Sequence, residues 1–501
     1  MLAASHPIMS CVAAKAQEAA RFQGDEREEW MAMSRAGNAV AAAIRTDFEE
    51  IGGFAPQGCM VILVGKGHNG GDALIAAQAL LTAYPQATAK VIFVFGEKAL
   101  RPLAARAWRE LAQFAAGRVQ SIAITALPAA AELCLDGVFG FQFRSPAAPA
   151  VAALLGTVNA RAFRLRAAVD LPSAGLFRAD FTYATGSVKA PVVDAPEAGR
   201  VRYLDLGFFG SEGQEMERVL LARVLMPLAQ LRPSRGDKRT YGHVFVLGGS
   251  GSFPGAVLMT VLAALRSGVG LVTAFVPESL VATFAARAPE AMWVGWPETP
   301  TGSLALEGEH LLRERWERAT CLVIGPGLGR ERETLALVRH VVETSPVPLV
   351  LDADALQPEI VQGGRAPRVL TPHAGEFARI GGGGELREFA RATGATVVLK
   401  GAVTRIAAGA EANAESGPVV YHSFFGGPVL ARGGSGDVLA GLIGGQLAQT
   451  PEDPVLAAAR GVVWHGRAAD LLARARGSTA VTVTQLLDFL PAALRESAHE
   501  L

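Results

Sequence analysis

Short apolar runs recur along this chain, each followed by a longer stretch of helical periodicity, and this alternation constrains the fold more than any other feature. In the first half the runs are CMVILVG (59–65), KVIFVFG (90–96), VQSIAI (119–124), ELCLDGV (132–138) and RLRAAVD (164–170). Between the first two, DALIAAQALLTAY has the pattern of a helix opened by a glycine-rich turn. Nearly continuous apolar strands separated by helices predict parallel sheets covered on both faces, which is the α/β class. An all-β arrangement cannot absorb such helices. At 501 residues the chain exceeds what one ordinary core organises, so two domains are expected. VRYLDLG reads as the last strand of the first half and is followed by a charged, helix-prone segment, SEGQEMERVLLARVLMPLAQ. Polar, breaker-containing RPSRGDKRTYG comes next, and the alternation restarts at HVFVLGG. The expected domains are therefore 1–215 and 230–501, with the boundary between about 210 and 236.

Lys+Arg and Asp+Glu both count 47, so the chain has no overall basic field for nucleic acid or an anionic membrane. Any anionic ligand must be held by local sites. Cys11, Cys59, Cys134 and Cys321 lie far apart without a CxxC pair, which argues against zinc or a disulfide framework and for a reducing compartment. The N-terminal stretch lacks a basic leader followed by a sustained apolar run, and no run reaches the ~18 residues of a membrane span. Neither nucleic acid nor membrane is expected as a partner, and a cytoplasmic setting is expected.

Two glycine-rich segments carry the chemistry. VGKGHNGGDAL (64–74) follows a strand and opens a helix, so its backbone can approach a ligand and the helix-start amides can receive a phosphate. Asp72 either stands charged among those amides or caps the helix. Asp136, Asp170 and Ser173 end strands of the same half, where ligands of parallel sheets collect. Asn69, Asp136 and Ser173 offer oxygen ligands for a hard cation, although each alone also suits a cap or turn.

In the second half, GHVFVLGGSGSFPGAVLMTVLAALRSGVGLV (242–272) reads as strand, glycine turn and a helix with small residues for close packing. CLVIGPGLGR (321–330), LVLDADAL (349–356), VLTPHAGEF (369–377) and VVLKGAVT (397–404) place Gly327, Asp352, Asp354, His373, Glu376 and Lys400 at or beyond strand ends. ARGGSGDVLAGLIGGQLA (431–448) aims helix-start amides at an anion and sets Asp437 where it can take a proton from a hydroxyl beside a transferring phosphoryl group. No Walker-A pattern is present.

GKGHNGGD, LDGVFG, VDLPS and AD…GSVK (179–189) resemble the NAD(P)H-hydrate epimerase domain, a Rossmann-like three-layer fold that binds potassium and interconverts the R and S hydrates of NADH and NADPH. The resemblance implies that His68, Asn69, Gly70, Gly71, Asp72, Gly140, Phe141, Gln142, Phe143, Arg144 and Asp170 contact the hydrate. It also implies that Asn69, Asp136 and Ser173 hold K+. Asp170 is the favoured acid/base, with Asp72 next. His68 stands where that family usually has asparagine, and DLPSAGL carries one residue more than its DxPSG.

GGSGD together with TPHAGE, KG, GPGLG, LDADAL and HGRAAD (465–470) is similar to the ADP-dependent NAD(P)H-hydrate dehydratase branch of the ribokinase-like superfamily, also a three-layer fold. That resemblance implies conversion of the S hydrate to NAD(P)H with ADP giving AMP and phosphate, and Mg2+ arriving with the nucleotide. Lys400, Gly401, Ala402, Val403, Thr404 and Gly436 would bind nucleotide, while Ala256, Gly327, His373 and Asp437 would contact the hydrate. Asp437 would be the base, and Gly434, Ser435 and Gly436 would supply anion-hole amides. The whole chain thus reads as a bifunctional repair enzyme, with a homo-oligomer expected. The rival reading is a kinase of a small alcohol, such as a vitamin precursor, carrying a non-catalytic N-terminal binding domain.

Overall fold

In the computed structural model, which describes residues 1–143, 146–209, 215–409 and 417–497, both halves belong to the expected α/β class. The chain forms two compact units. One comprises His6–Glu215 with Arg474–Gly477, and the other comprises Met1–Ser5, Met216–Ala473 and the residues from Ser478 onward.

The first unit contains β1 (Ser5–Met9), β2 (Cys59–Val64), β3 (Thr88–Phe93), β4 (Val119–Ser121), β5 (Ala130–Gly137), β6 (Ala162–Val169), β7 (Phe181–Thr185), β8 (Val188–Lys189) and β9 (Arg200–Leu204). Its main sheet runs β4-β3-β2-β5-β6-β7-β9, all parallel. Met60 to Leu63 are 0% exposed, as expected of a strand covered on both faces. The chain winds outward from β2 to β4 and then returns to β5 on the other side of β2. That reversal opens a crevice beyond the carboxyl ends of β2 and β5. β1 pairs with β8 in parallel, setting Met9 opposite Lys189.

The second unit contains β10 (Glu217–Leu220), β11 (His243–Leu247), β12 (Leu271–Pro277), β13 (Met292–Trp296), β14 (Cys321–Ile324), β15 (Leu349–Leu351), β16 (Arg368–Leu370), β17 (Thr396–Leu399), β18 (Thr404–Ala407) and β19 (Val420–Ser423). They run in the order β13-β12-β11-β14-β15-β16-β17-β18-β19-β10. Strands β13 to β17 are parallel, and β18 is antiparallel to both neighbours. The winding reverses between β11 and β14, so the second crevice lies at their carboxyl ends. The helices Pro254–Arg266 and Ser435–Gln449 pack closely because Gly441 faces the Thr260 carbonyl, which a Cβ would approach to 2.2 Å.

Two local expectations are corrected. The helix-prone stretch after β9 forms β10 and the 3-10 turns Ala222–Ala229 instead. Pairing of Glu217–Val219 with Val420–His422 and burial of Val219 and Leu220 override helix propensity there. Likewise, the first glycine segment does not precede its helix: the helix His68–Ala83 already includes Asn69, Gly70 and Gly71, with Gly67 as a cap that makes no side-chain hydrogen bond. Asp72 is therefore neither the cap nor exposed at the helix start, and it is 7% exposed.

Candidate active sites

The first crevice holds a cavity of about 500 Å³, a size ordinary for small-molecule sites. Of the residues expected to contact the hydrate, His68, Asn69, Asp72, Gly140, Phe141, Gln142, Phe143 and Asp170 line it. Gly70 and Gly71 do not, because they serve close packing. Added Cβ atoms would stand 2.4 Å from the Gly65 carbonyl oxygen and 2.5 Å from Met33 Sδ. Arg144 lies outside the described residues. Glu18, Lys66, Arg101 and Lys189 also line the cavity, and the sequence offered no sign of their role.

Asp170 ends β6 with φ 67, a left-handed conformation that Asp tolerates better than most residues. Its Oδ1 accepts from Lys189 Nζ at 2.5 Å, with both side chains 2% exposed. Its Oδ2 is buried and makes no hydrogen bond to the described residues. Burial raises the Asp170 pKa against the opposing pull of Lys189. Asp72 is pushed well above the carboxylate range, first by burial and then by Asp170 and Glu18. Glu18 is pushed up to about 7 by burial, with Lys189 opposing and Asp170 and Glu29 adding to the rise. His68, with Glu29 at 3.6 Å, is shifted down by burial.

Behind the cavity wall, Asp136 Oδ1 accepts from Ser173 Oγ at 2.7 Å and Asp136 Oδ2 from the Ser173 amide at 2.8 Å. Asn69 Nδ2 donates to the carbonyls of Phe139 and Val169 at 3.1 and 2.9 Å. Its Oδ1 faces Gly140, where a Cβ would come within 2.4 Å. Asp136 and Ser173 bond directly, and Asn69 is linked to them through Phe139, whose amide donates to Ser173 Oγ at 2.9 Å and whose carbonyl accepts from Asn69 Nδ2. Burial lifts the Asp136 pKa to about 6, although three hydrogen bonds from Ser173 and Val138 oppose it. Asp136 has no lysine or arginine partner among the described residues, and its oxygens are engaged by Ser173 and the Val138 amide.

Further along the second sheet, Lys400 follows β17, and its Nζ lies 2.9 Å from Asp352 Oδ1 and 3.9 Å from Glu376 Oε2. Asp352 is 2% exposed and also accepts from Thr371 Oγ1 at 2.7 Å. Burial works against the Lys400 ammonium, but Asp352, Glu376 and Asp437 outweigh it and hold its pKa above the usual value. Gly436 faces this pair, and a Cβ there would stand 3.1 Å from Lys400 Nζ. Asp437 sits in the first turn of Ser435–Gln449, preceded by Gly434 at φ 93. Burial and then Asp352 lift its pKa to about 7, with Lys400 pulling the other way. The first amides of that helix lack acceptors within it, although Ser435 N reaches the Arg432 carbonyl at 3.3 Å. Gly401, Ala402 and Val403 form the turn between β17 and β18, leading directly from Lys400 to Thr404.

Ala256 and Gly327 meet across the crevice. Gly327, at φ 69, leaves room where a Cβ would come 3.1 Å from Ala256 Cβ and 2.3 Å from the Phe253 carbonyl. His373 caps the helix Ala374–Arg379, its Nδ1 accepting from the amides of Gly375 and Glu376 at 3.0 and 3.2 Å. Its Nε2 lies 3.5 Å from Glu376 Oε1, so both ring nitrogens are held at this helix start. Among the described residues, no group of three or more His, Cys, Asp or Glu side chains is placed to hold a metal ion.

Residues 30–195 match the family described as YjeF-related protein N-terminus, and residues 244–492 match that described as NAD(P)H-hydrate dehydratase. The chain is 35% identical to the bifunctional NAD(P)H-hydrate repair enzyme Nnr of Moorella thermoacetica, over 93% of this chain and 93% of that protein. With the enzyme of the same name from Gloeobacter violaceus it shares 38% identity, over 88% of this chain and 89% of that one. The chain belongs to the bifunctional NAD(P)H-hydrate repair enzyme family. It is also similar to the solved ADP/ATP-dependent NAD(P)H-hydrate dehydratase from Bacillus subtilis co-crystallized with ATP/Mg2+, at 30% identity over 53% of this chain and 94% of that one, with a TM-score of 0.44.

Within this repair-enzyme fold, the extra residue of DLPSAGL is accommodated by a local turn. Ala174 takes φ 60 inside the 3-10 turn Ser173–Gly175, which leaves Ser173 on Asp136. The second crevice depends on a glycine that cannot be replaced. Gly325 has φ 128, and a Cβ there would lie 1.8 Å from the Asp352 carbonyl oxygen. Gly325→Ala is expected to lower stability by about 2–5 kcal/mol, from backbone strain plus displacement of the β15 end. Urea unfolding would report this, and an unchanged midpoint would contradict it.

Proposed function

We propose that this chain repairs hydrated nicotinamide nucleotides, epimerising R and S NAD(P)H hydrate in the first unit and dehydrating the S form with ADP in the second. The observation that carries the reading is the presence of two proton-handling centres, Asp170–Lys189 and Asp437–Lys400–Asp352, each beyond the carboxyl ends of parallel strands, in a member of this family. The small-alcohol kinase reading is not favoured, because relatives matching most of the chain are hydrate repair enzymes.

In the first unit the reaction asks for proton transfer to and from the hydroxyl on the carbon beside the ring nitrogen, and for a site that tolerates a transient cation. The Asp170 carboxylate, held by Lys189 at one oxygen, supplies a proton-transferring group and negative charge beside the transient cation. Asn69, Asp136 and Ser173 would hold potassium, whose charge would offset the buried Asp136 carboxylate and brace the Gly140 wall. Omitting K+ is therefore expected to slow epimer exchange, followed by chromatography without ADP. An exchange rate indifferent to K+ would contradict that ligand set.

In the second unit, the Asp437 carboxylate removes the hydroxyl proton as the oxygen bonds to the terminal phosphorus of ADP and AMP departs. The ring nitrogen's lone pair then expels phosphate, and loss of a proton from the adjacent ring carbon restores the reduced nicotinamide. Lys400, steadied by Asp352 and Glu376, places positive charge beside the glycines of the helix start, where the transferring group would lie. AMP, phosphate and NADH are expected in equal amounts; persistence of a phosphorylated organic product would sink this assignment. A cytoplasmic setting is part of the reading, supported by four free cysteines. Among the described residues no helix is long and apolar enough to cross a membrane.

A further inference from the structure

Inversion at the ring carbon through an iminium has the hydroxyl leave from one face and water add at the other. A single carboxylate on one side cannot serve both events. The first cavity presents carboxyls from three separate elements: Asp170 after β6, Asp72 from His68–Ala83, and Glu18 from the helix Cys11–Phe22. The pairing of β1 with β8 aligns the start of the Glu18 helix with Lys189. Lys189 is the cation that acts on all three carboxyls, and its ammonium is already engaged by Asp170.

We propose that Glu18 is a second catalytic carboxyl of the epimerase site, working with Asp170 as an acid and base pair. The proposal rests on the epimerase reading above. The Glu18 proton passes to the ring hydroxyl, the C–O bond breaks with its electrons leaving in water, and the nitrogen lone pair completes an iminium. A second water adds to the opposite face and gives its proton to Asp170. One water leaves, one enters, and one proton has moved from Glu18 to Asp170; turnover in the other direction or exchange with solvent returns it.

Asp72 is the poorer partner for Asp170. It is 7% exposed, and burial with two neighbouring carboxyls pushes its pKa well above the carboxylate range, which disfavours its carboxylate form. Glu18 is only partly buried and titrates about 7, where a carboxyl can both give and recover a proton. The groups facing it are Asp170, Lys189, Asp72 and Glu29, with His68 held against Glu29 and Cys11 on its own helix.

The test is R-to-S exchange of NADH hydrate by the full chain without ADP, measured across pH for the wild type, Glu18→Gln and Glu18→Asp. The wild-type kcat should fall as pH rises through about 7, where Glu18 loses its proton. Glu18→Gln should lose about 10²-fold in kcat with KM little changed, and with that pH limb abolished. Glu18→Asp should recover most of the rate and keep a limb at shifted pH, which also covers the case of a poorly folded glutamine variant. Wild-type kcat in Glu18→Gln with the limb intact overturns the proposal. A wild-type chain that does not accelerate exchange at all overturns the epimerase reading itself, a result distinguishable from the former.

Discussion

Asp437→Asn is expected to lower turnover of S-hydrate dehydration by about 10²–10⁴-fold, the range a positioned general base supplies, while ADP binding stays near wild type. Asparagine keeps the size of the side chain in the first turn of Ser435–Gln449 but cannot accept the hydroxyl proton. Nucleotide binding survives because Lys400 retains Asp352 at 2.9 Å and Glu376 at 3.9 Å. The wild type adds a second signature. Burial and Asp352 hold Asp437 at about 7, and only its carboxylate works as base, so kcat/KM should rise with pH through about 7. Loss of ADP affinity with turnover proportionally retained, or a flat profile across that range, would count against the role.

Asp170→Asn should slow epimer exchange by about 10²–10³-fold, again the contribution of a proton-transferring side chain. Here a structural effect is expected as well. Lys189 is 2% exposed on its side chain, and removing its carboxylate leaves the buried ammonium without its ion-pair partner, held by the Thr185 carbonyl at 3.1 Å. Such breakage costs about 3–5 kcal/mol. The double variant Lys189→Met with Asp170→Asn removes both charges and should recover much of the stability without recovering exchange. If exchange returned along with the melting temperature, Asp170 would be a structural partner of Lys189 and not the base.

The parts of the two sites that were legible in sequence share one property: they lie on short segments whose local pattern fixes their place. GKGHNGGD, LDGV, VDLPS and GGSGD each follow or precede an apolar run, so their position at strand ends follows from the alternation itself. Asp136 and Ser173 meet because the adjacent parallel strands β5 and β6 end at one level. Glu18 was not legible. In CVAAKAQEAARF it occupies what looks like a solvated helical position, and only the β1–β8 pairing brings that helix to the cavity. Lys189 lies in the segment AD…GSVK, yet its role depends on the Asp170 side chain reaching it from beyond β6. The β10 segment misled for a different reason: Glu, Met, Arg and Leu favour helices locally, and the strand exists only through its partner β19. His373 carried a signal that local reasoning can use, since a glutamate three residues later is the mark of a capping box.

The most direct test of the central claim is recovery of reduced-nicotinamide absorbance from a mixture of R and S NADH hydrate, with ADP, magnesium and potassium present. The bifunctional account predicts full recovery, faster than spontaneous epimer exchange allows. Recovery that halts when the S epimer is exhausted, or none with either ADP or ATP, would contradict it.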